Sequence, residues 1–401
     1  MKRYSAVTHE GHRRDHNEDA LLAVPEFGLY LVADGVGGRA YGEVASALTV
    51  ETFRALAPKI HAARQAYIDQ PDRRTRNGVL ESLNVSCQAA SRRVYEEAES
   101  ESRRGMTTTL VVAVVGGGTI FLAHVGDSRA YLLREGELLQ LSEDHSMVNE
   151  LVRTGQMTYD EAKRSRYRNV ITRAIGLQPG VQADTAAIEI LAGDRLLLCS
   201  DGLSDPVNAL NISRHLGLSD RDQAAQMLLQ EALDAGGPDN ITVLVVDPDA
   251  SPRADIAAAR AEVMSQVFLF ADLSFNAQAR VGRMVNDQRV SPGEVVVRQG
   301  DTGNRMYVVV QGILEVSRDG LVIATLGPGD HFGEQALVDA QPRSATVRSV
   351  GFGSLVTIER QALDEFTKRE PEVGSQVLWK LLRTISSRLR DTTSQLAEGR
   401  K

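Results

Sequence analysis

Leu29-Tyr30-Leu31-Val32-Ala33-Asp34-Gly35 is an apolar run that stops at an aspartate and a glycine. Read locally, it predicts a buried strand whose end is marked by turn-forming residues. The same texture recurs in Ala123-His124-Val125-Gly126-Asp127 and in Leu196-Leu197-Leu198-Cys199-Ser200-Asp201-Gly202, and Asp239 stands just before the apolar run Ile241–Val246. Aspartate is depleted from strands, and a single one at a strand end is ordinarily a turn-former. Four in the same placement carry more weight. If the strand ends converge, like charges raise one another's pKa and disfavour ionisation together unless cations lie between them. Hard oxygen donors without a His or Cys cluster select Mg²⁺ or Mn²⁺ over zinc. The glycines after Asp34 and Asp201 let the backbone approach closely and offer a carbonyl as a ligand.

Around these runs the composition is that of a soluble globular chain. The 401 residues carry 45 basic and 53 acidic side chains, a formal charge of −8, with 42% hydrophobic and 24% charged residues. That balance excludes disordered, collagenous and low-complexity classes. A net acidic chain also lacks the Lys and Arg surplus that drives non-specific binding to nucleic acid or anionic membranes, and neither is expected as a partner. Cys87 and Cys199 have apolar neighbours and are read as buried thiols. The start, Met1-Lys2-Arg3-Tyr4, shows no apolar leader, and the longest apolar stretch, near 110–115, is far too short to span a bilayer. The expectation is a cytoplasmic protein.

The clearest break lies at Asp247-Pro248-Asp249-Ala250-Ser251-Pro252-Arg253, where two prolines end a strand-like run. Before it, Val-, Leu- and Ile-rich runs alternate with helical patterns at 42–56 and 79–98, which argues for an α+β fold of sheets covered by helices. After it, a helix candidate at 254–267 leads into short strands separated by glycine turns over 289–358. That spacing suits a small β-barrel or sandwich. The predicted division is 1–247, a linker with the start of a leading helix over 248–262, a barrel over 263–375, and a terminal helix over 376–401.

At this point the residues resemble a known family. Arg14-Asp15-His16-Asn17-Glu18-Asp19, Asp34-Gly35-Val36-Gly37-Gly38, Gly126-Asp127-Ser128-Arg129, Asp201-Gly202-Leu203-Ser204-Asp205 and Gly237-Pro238-Asp239-Asn240 stand in the order of the metal-dependent protein phosphatases (PPM), in their bacterial serine/threonine branch. The resemblance implies an α/β/β/α sandwich of two antiparallel sheets covered by helices. It implies that Asp34 bridges two Mn²⁺ or Mg²⁺ ions, with the Gly35 carbonyl on one and Asp201 and Asp239 on the other. Glu18 and Asp19 then hold metal-bound water, Asp127 with Asp201 supports a third ion, and Arg14 binds the substrate phosphate through its planar fork. The implied reaction is hydrolysis of phosphoserine or phosphothreonine in proteins, among them a bacterial serine/threonine kinase, without a protein nucleophile.

Two residues depart from the family pattern. Val36 stands where many eukaryotic members place a histidine proposed as general acid, and valine donates no proton; His16 is nearby and receives no role. Thr107, in Met106-Thr107-Thr108-Thr109, replaces a frequent glycine and is expected to tighten a strand without chemical effect. The polar stretch from 149 to 169 matches the family's flap. Its Arg164, Arg166 and Arg168 read either as a solvated face or as contacts for an acidic phosphopeptide.

The second part of the chain resembles the cyclic-nucleotide-binding domain of the catabolite activator family and of cyclic-AMP-dependent kinase regulatory subunits. Pro292-Gly293-Glu294, Gln299-Gly300-Asp301 and Gly327-Pro328-Gly329-Asp330 fit its barrel turns. Phe332-Gly333-Glu334-Gln335-Ala336-Leu337 with Pro342-Arg343-Ser344-Ala345-Thr346 looks like its phosphate-binding cassette, in which a short helix N-terminus cradles the cyclic phosphate. The resemblance implies Arg343 on the phosphate, Glu334 on the ribose 2′-hydroxyl, and Gly333, Ala336, Ser344 and Ala345 lining the cassette. Serine after the arginine favours cyclic AMP over cyclic GMP. In the last helix Leu378, Leu382, Ile385, Leu389, Thr392 and Leu396 are spaced 4, 3, 4, 3, 4, either a coiled-coil seam pairing two chains or a stripe packed on the barrel. A paired helix brings Thr392 to the nucleotide. No helix-turn-helix follows, so a transcription factor is not expected. The reading is a phosphatase regulated by cyclic nucleotide; the alternative is a constitutive phosphatase whose barrel only dimerises or localises it.

Overall fold

The computed structural model describes residues 3–36, 41–100, 103–158, 161–162, 165–167, 170–249, 269, 273, 281, 284–339 and 341–398; within these, the side chains of residues 100, 153, 369, 372 and 388–398 are left undescribed. The chain divides into two compact units, Met1–Ala254 and Asp255–Lys401. The helix expected at 254–267 and the glycines 37 and 38 lie outside the described residues.

The first unit begins with β1 (Tyr4–His9), β2 (Asp19–Val24) and β3 (Leu29–Val36), followed by the long helices α1 (Gly42–Asp69) and α2 (Arg73–Ser100). β4 (Thr107–Thr108), β5 (Leu110–Gly116), β6 (Thr119–Val125), β7 (Arg129–Arg134), β8 (Glu137–Gln140) and α3 (Met147–Arg153) come next. The unit closes with β9 (Asp184–Glu189), β10 (Arg195–Cys199), the one-turn α4 (Asp201–Ser204), α5 (Ala209–Leu216), α6 (Arg221–Asp234) and β11 (Ile241–Val246).

These strands form two antiparallel sheets, one in the order β1-β11-β10-β7-β8 and one in the order β2-β3-β5-β6-β9, with β4 paired to β3. The continuous apolar runs follow from burial on both faces, because alternate side chains leave a strand in opposite directions. Leu29, Leu31 and Ala33 of β3 pack with Phe53 and Ile60 of α1 and Leu83 of α2, whereas Tyr30 and Val32 are buried on the other face. In the other sheet Leu197, Cys199, Val243 and Val245 pack against Leu216 and Leu228 of α5 and α6. Helices thus cover the outer face of each sheet, the sandwich expected from the sequence. Both cysteines are free and buried, and burial pushes their thiols up to about 12.

The second unit contains β12 (Val285–Val290), β13 (Val295–Val297), β14 (Arg305–Gln311), β15 (Leu314–Arg318), β16 (Leu321–Leu326), β17 (His331–Phe332), β18 (Thr346–Ser349) and β19 (Gly353–Glu359). Two four-stranded sheets, β12-β19-β14-β17 and β13-β18-β15-β16, enclose Val309, Leu314, Val347 and Leu355. α7 (Arg360–Arg369) and α8 (Pro371–Glu398) follow.

The terminal helix packs one stripe and leaves another open. Val373, Val377 and Leu381 of α8 are buried in the core of this unit and Ile385 packs beside them, while Leu378 and Leu382 are 36% and 52% exposed. The predicted stripe therefore does not pack on the barrel as a whole: Val377 and Leu381 do so in place of Leu378 and Leu382, and Ile385 joins them. The side chains of Leu389, Thr392 and Leu396 lie outside the described residues. No helix among the described residues is long and apolar enough to cross a membrane.

Candidate metal centre and nucleotide site

Sheet register assembles the acidic residues. Asp19 and Asp34 are direct partners across the β2–β3 ladder. Asp127 lies in the turn where the chain leaves β6 for β7, and so passes from one sheet to the other. Asp201 opens α4 immediately after β10, and Asp239 precedes β11, the neighbour of β10. Residues from both sheets thereby meet at one end of the sandwich.

The electrostatics agree with that placement. Burial, reinforced by the charges of Asp19, Asp201, Asp127 and Asp239, holds the Asp34 carboxyl well above the ordinary range. Asp201 is likewise raised by burial and by Asp127, Asp205 and Asp239. Burial pushes Asp19 up to about 6, and burial with the charge of Asp144 does the same to Asp127. Oδ1 of Asp19 is buried with no hydrogen-bond partner among the described residues. Crowded, desolvated carboxylates with an orphaned oxygen fit divalent cations, and the donors are all oxygen. Gly35 is a steric requirement here, since a Cβ would sit 2.4 Å from the carbonyl carbon and oxygen of Gly42 and 2.8 Å from that of Glu18.

Arg14 donates from Nη2 to Asp239 Oδ2 at 2.7 Å. That bond, opposed by burial and aided by the charges of Asp239, Glu18 and Asp34, raises its already high pKa. Its side chain is 50% exposed, so the guanidinium is anchored to the acidic cluster while remaining open to a ligand. His16, given no role from sequence, is exposed with Nε2 3.0 Å from Glu18 Oε1.

Several supporting residues escaped the sequence reading. Asn240 Oδ1 accepts from the Glu18 N–H at 2.8 Å, and its Nδ2 donates to the carbonyls of Glu10 and His16 at 2.9 and 3.0 Å, clamping the loop that carries Arg14. Ser200 donates to Asp19 Oδ2 at 2.8 Å and itself accepts from Thr242 N–H at 2.9 Å. The three consecutive threonines all serve the Asp34 segment. Thr107 Oγ1 donates to the Val36 carbonyl at 3.1 Å, Thr108 Oγ1 to the Asp34 carbonyl at 2.7 Å, and Thr109 Oγ1 accepts from the Asp34 N–H at 3.1 Å. Thr107 thus has a hydrogen-bonding role beyond stiffening a strand. Asn240 and Ser200 sit inside quoted stretches, so their adjacency to Asp239 and Asp201 was the available signal.

The segment after Asp127 contains α3, N-capped by Ser146, whose Oγ accepts from Asn149 N–H at 3.3 Å. Arg166 lies over the ring of Tyr167; Arg164 and Arg168 fall outside the described residues.

In the second unit the predicted cassette residues are brought together. Gly333 adopts φ +75°, and a Cβ there would meet Arg343 Nη1 at 2.4 Å. Glu334–Leu337 form a 3₁₀ turn in which Glu334 and Ala336 are buried, shorter than an α-helical start. Arg343 Nη1 and Nη2 donate to the carbonyls of Gly333 and Arg305 at 3.3 and 2.7 Å. Backbone bonds Gly300 N–H to Arg343 O and Arg343 N–H to Asp301 O, both 2.8 Å, join the Gln299-Gly300-Asp301 turn to the arginine. Its guanidinium lies 5.9 Å from the ring centroid of Tyr307, which stacks on Phe332 at 4.8 Å. Ser344 is exposed and Ala345 half-buried. Thr392 cannot be placed against this pocket, for the reason given above.

Comparison with known proteins places both units. Residues 8–220 match the protein phosphatase 2C family and residues 287–370 match the cyclic nucleotide-binding domain. The serine/threonine protein phosphatase PstP of Mycobacterium tuberculosis is 39% identical over 246 residues, which cover 61% of this chain and 45% of PstP. The chain thus matches less than half the length of that relative. The serine/threonine phosphatase stp of Listeria monocytogenes is 35% identical over 251 residues, 61% of this chain and 96% of stp. Among solved structures, the catalytic domain of PstP in complex with two manganese ions superimposes with a TM-score of 0.52 at 38% identity, covering 61% of this chain and 97% of that domain. The match extends over more than half of the sequence and takes in Asp19, Asp34, Asp127 and Asp201: the chain belongs to the protein phosphatase 2C family and carries a cyclic nucleotide-binding domain after its phosphatase domain.

Proposed function

We propose that the chain hydrolyses phosphoserine and phosphothreonine in proteins, with activity set by a cyclic nucleotide, cyclic AMP rather than cyclic GMP, at the second unit. The observation that carries the catalytic half is the crowding of the half-buried carboxylates Asp19, Asp34, Asp127 and Asp201, all raised above their ordinary range at one end of the sandwich. Asp34, the Gly35 carbonyl, Asp201 and Asp239 would hold two Mn²⁺ or Mg²⁺ ions, Asp127 with Asp201 a third, and Glu18 and Asp19 their water. When bound, such ions lower the pKa of water and polarise phosphoryl oxygens. The PstP domain with its two manganese ions supports the choice of metal.

The chain's own residues then orient the substrate. Arg14, with one nitrogen held by Asp239, presents the rest of its fork to two phosphate oxygens. Asn240 and Ser200 keep Glu18 and Asp19 in place, so little reorganisation accompanies reaction. Val36 has no proton to give, and the leaving oxygen is protonated from water or from another group. Phosphoproteins, including a bacterial serine/threonine kinase, are the substrate class by analogy with the relatives.

In the second unit, Arg343, held by carbonyls at the mouth of the cassette, would pair with the cyclic phosphate and Glu334 with the ribose. A second reading has its own observation: Leu378, Trp379 and Leu382 are exposed on α8, as suits a barrel that only dimerises or localises the enzyme. Mn²⁺-dependent dephosphorylation of a phosphothreonine peptide, titrated with cyclic AMP and cyclic GMP, separates the readings. A saturable change in rate that Arg343→Ala removes is expected. A rate indifferent to both nucleotides, without binding by calorimetry, leaves the second reading; metal-independent turnover or full activity in Asp34→Asn overturns the catalytic assignment.

A further inference from the structure

The turn that carries Asp127 is flanked by the segment 141–145. Leu141 N–H donates to the Ala130 carbonyl at 2.7 Å and His145 N–H to the Gly126 carbonyl at 2.9 Å. Ser142 Oγ accepts from Ala130 N–H at 3.0 Å, and His145 Nδ1 accepts from Gly126 N–H at 3.2 Å. Both ends of the turn are held in this way, and Asp144 is set against Arg129. Arg129 Nε donates to Asp144 Oδ1 and Oδ2 at 2.9 and 3.0 Å, and Nη2 donates to Oδ2 at 2.6 Å. Nη1 donates to the Tyr131 hydroxyl at 3.2 Å, and Gln140 Nε2 donates to Asp144 Oδ1 at 3.2 Å. The side chains of Arg129 and Asp144 are only 21% and 14% exposed.

The pair stands beside the acidic centre. Arg129 comes two residues after Asp127, and across the β7–β10 ladder it faces Cys199, two residues before Asp201. After burial itself, the charge of Asp144 does most to raise the Asp127 carboxyl, and Arg129 acts on the same carboxyl in the opposite sense. Burial opposes the charged guanidinium, but Asp144 and Tyr131 outweigh it, so Arg129 stays a cation. Stability alone does not account for such a pair. Desolvating two charges offsets most of their attraction, and apolar residues of similar volume serve a core as well or better. Apolar residues cannot, however, present two opposite charges to a neighbouring carboxylate.

We propose that Arg129 and Asp144 balance the charge around Asp127 and thereby set how tightly Asp127 and Asp201 hold a divalent cation, which makes them positioning residues for the metal. Arg129 repels such a cation and Asp144 attracts it. Bonded to each other, the two nearly cancel, and the fork fixes where each charge sits. The two residues therefore act in opposite directions on metal affinity, although losing either one loosens the same turn.

This inference rests on the phosphatase reading, in which Asp127 and Asp201 take a third ion, and the experiment separates the two. Full-length wild type, Asp144→Asn, Arg129→Met, Arg129→Lys and the double variant Arg129→Met with Asp144→Leu are titrated with Mn²⁺ alone by calorimetry. The Mn²⁺ concentration for half-maximal hydrolysis of p-nitrophenyl phosphate is measured beside it. The weakest binding step is expected to weaken about three- to tenfold in Asp144→Asn and to tighten about three- to tenfold in Arg129→Met, with Arg129→Lys and the double variant within about twofold of wild type. A merely structural role lowers the melting temperature and moves both single variants the same way on metal. Should Arg129→Met fail to fold, the double variant, which leaves no charge of the pair unpartnered, carries the same test by its return towards wild type. Affinities of the single variants that move together or not at all, or a double variant as weak as Asp144→Asn, overturn the role of the pair. Mn²⁺ binding without hydrolysis by the wild type overturns the phosphatase reading alone, and a wild type that binds no Mn²⁺ overturns both.

Discussion

The hydroxyl of Thr109 joins two of the acidic motifs: Oγ1 accepts from the Asp34 N–H at 3.1 Å and lies 2.6 Å from Ser128 Oγ, the residue after Asp127. Through one buried side chain, the strand end in one sheet is linked to the turn that leads into the other. Thr109→Val preserves shape but leaves the Asp34 N–H and the Ser128 hydroxyl short of a partner. A loss of roughly 1–3 kcal/mol in unfolding free energy is expected, readable by urea denaturation, together with a raised Mn²⁺ requirement. A variant as stable as wild type would show that the link is incidental.

Arg14 is held by Asp239 yet half exposed. Arg14→Ala is expected to lower kcat/KM on phosphopeptides by about 100-fold, the scale of losing one preorganised charge-stabilising donor. Arg14→Lys should recover only part, because a single ammonium cannot bridge two phosphate oxygens. Steady-state kinetics decides it, and full activity in Arg14→Lys counts against bidentate phosphate binding.

The acidic centre makes metal-free stability depend on pH. Asp19 and Asp127 titrate near 6 in the folded chain against an ordinary 3.8. Between those values the folded state binds more protons than the unfolded state, so their contribution to stability falls as pH rises through that window and stays lost above it. Mn²⁺ is therefore expected to raise the melting temperature more at pH 7.5 than at pH 5, by about 2–4 °C for each kcal/mol recovered. Calorimetric scans with and without Mn²⁺ test this. Equal shifts at both pH values would contradict it.

Adjacent leucines on α8 should behave oppositely. Leu381 is 1% exposed in the core of its unit and Leu382 is 52% exposed. Leu381→Ala is expected to cost about 2–5 kcal/mol, whereas Leu382→Ala should leave the melting temperature of a monomer nearly unchanged. If two chains pair through this face, Leu382→Ala shifts the oligomeric state in sedimentation instead.

Much of the centre was legible because its chemistry is written in residue types that strands avoid. Asp34, Asp201 and Asp239 stood out against apolar runs, and buried strands advertise themselves by the absence of alternation. What stayed illegible is made of ordinary residues. Thr108, Thr109, Ser200 and His145 acquire their roles only from partners 19 to 181 positions away, which no local pattern reports. Which stripe of α8 packs on its own unit was illegible for a related reason. Leucines occur at both a buried and an exposed register there, and only the barrel surface decides which stripe it accepts.

The order of strands has a consequence for how this protein is made. Among the described residues β1 is bonded only to β11 in its sheet, so the first strand of this unit waits for its last. Arg14 and Glu18 rest on Asp239 and Asn240 in the same way. A chain cut short of β11 leaves β1, Arg14 and Glu18 without the partners that hold them, so the acidic centre takes shape only once the sandwich shuts.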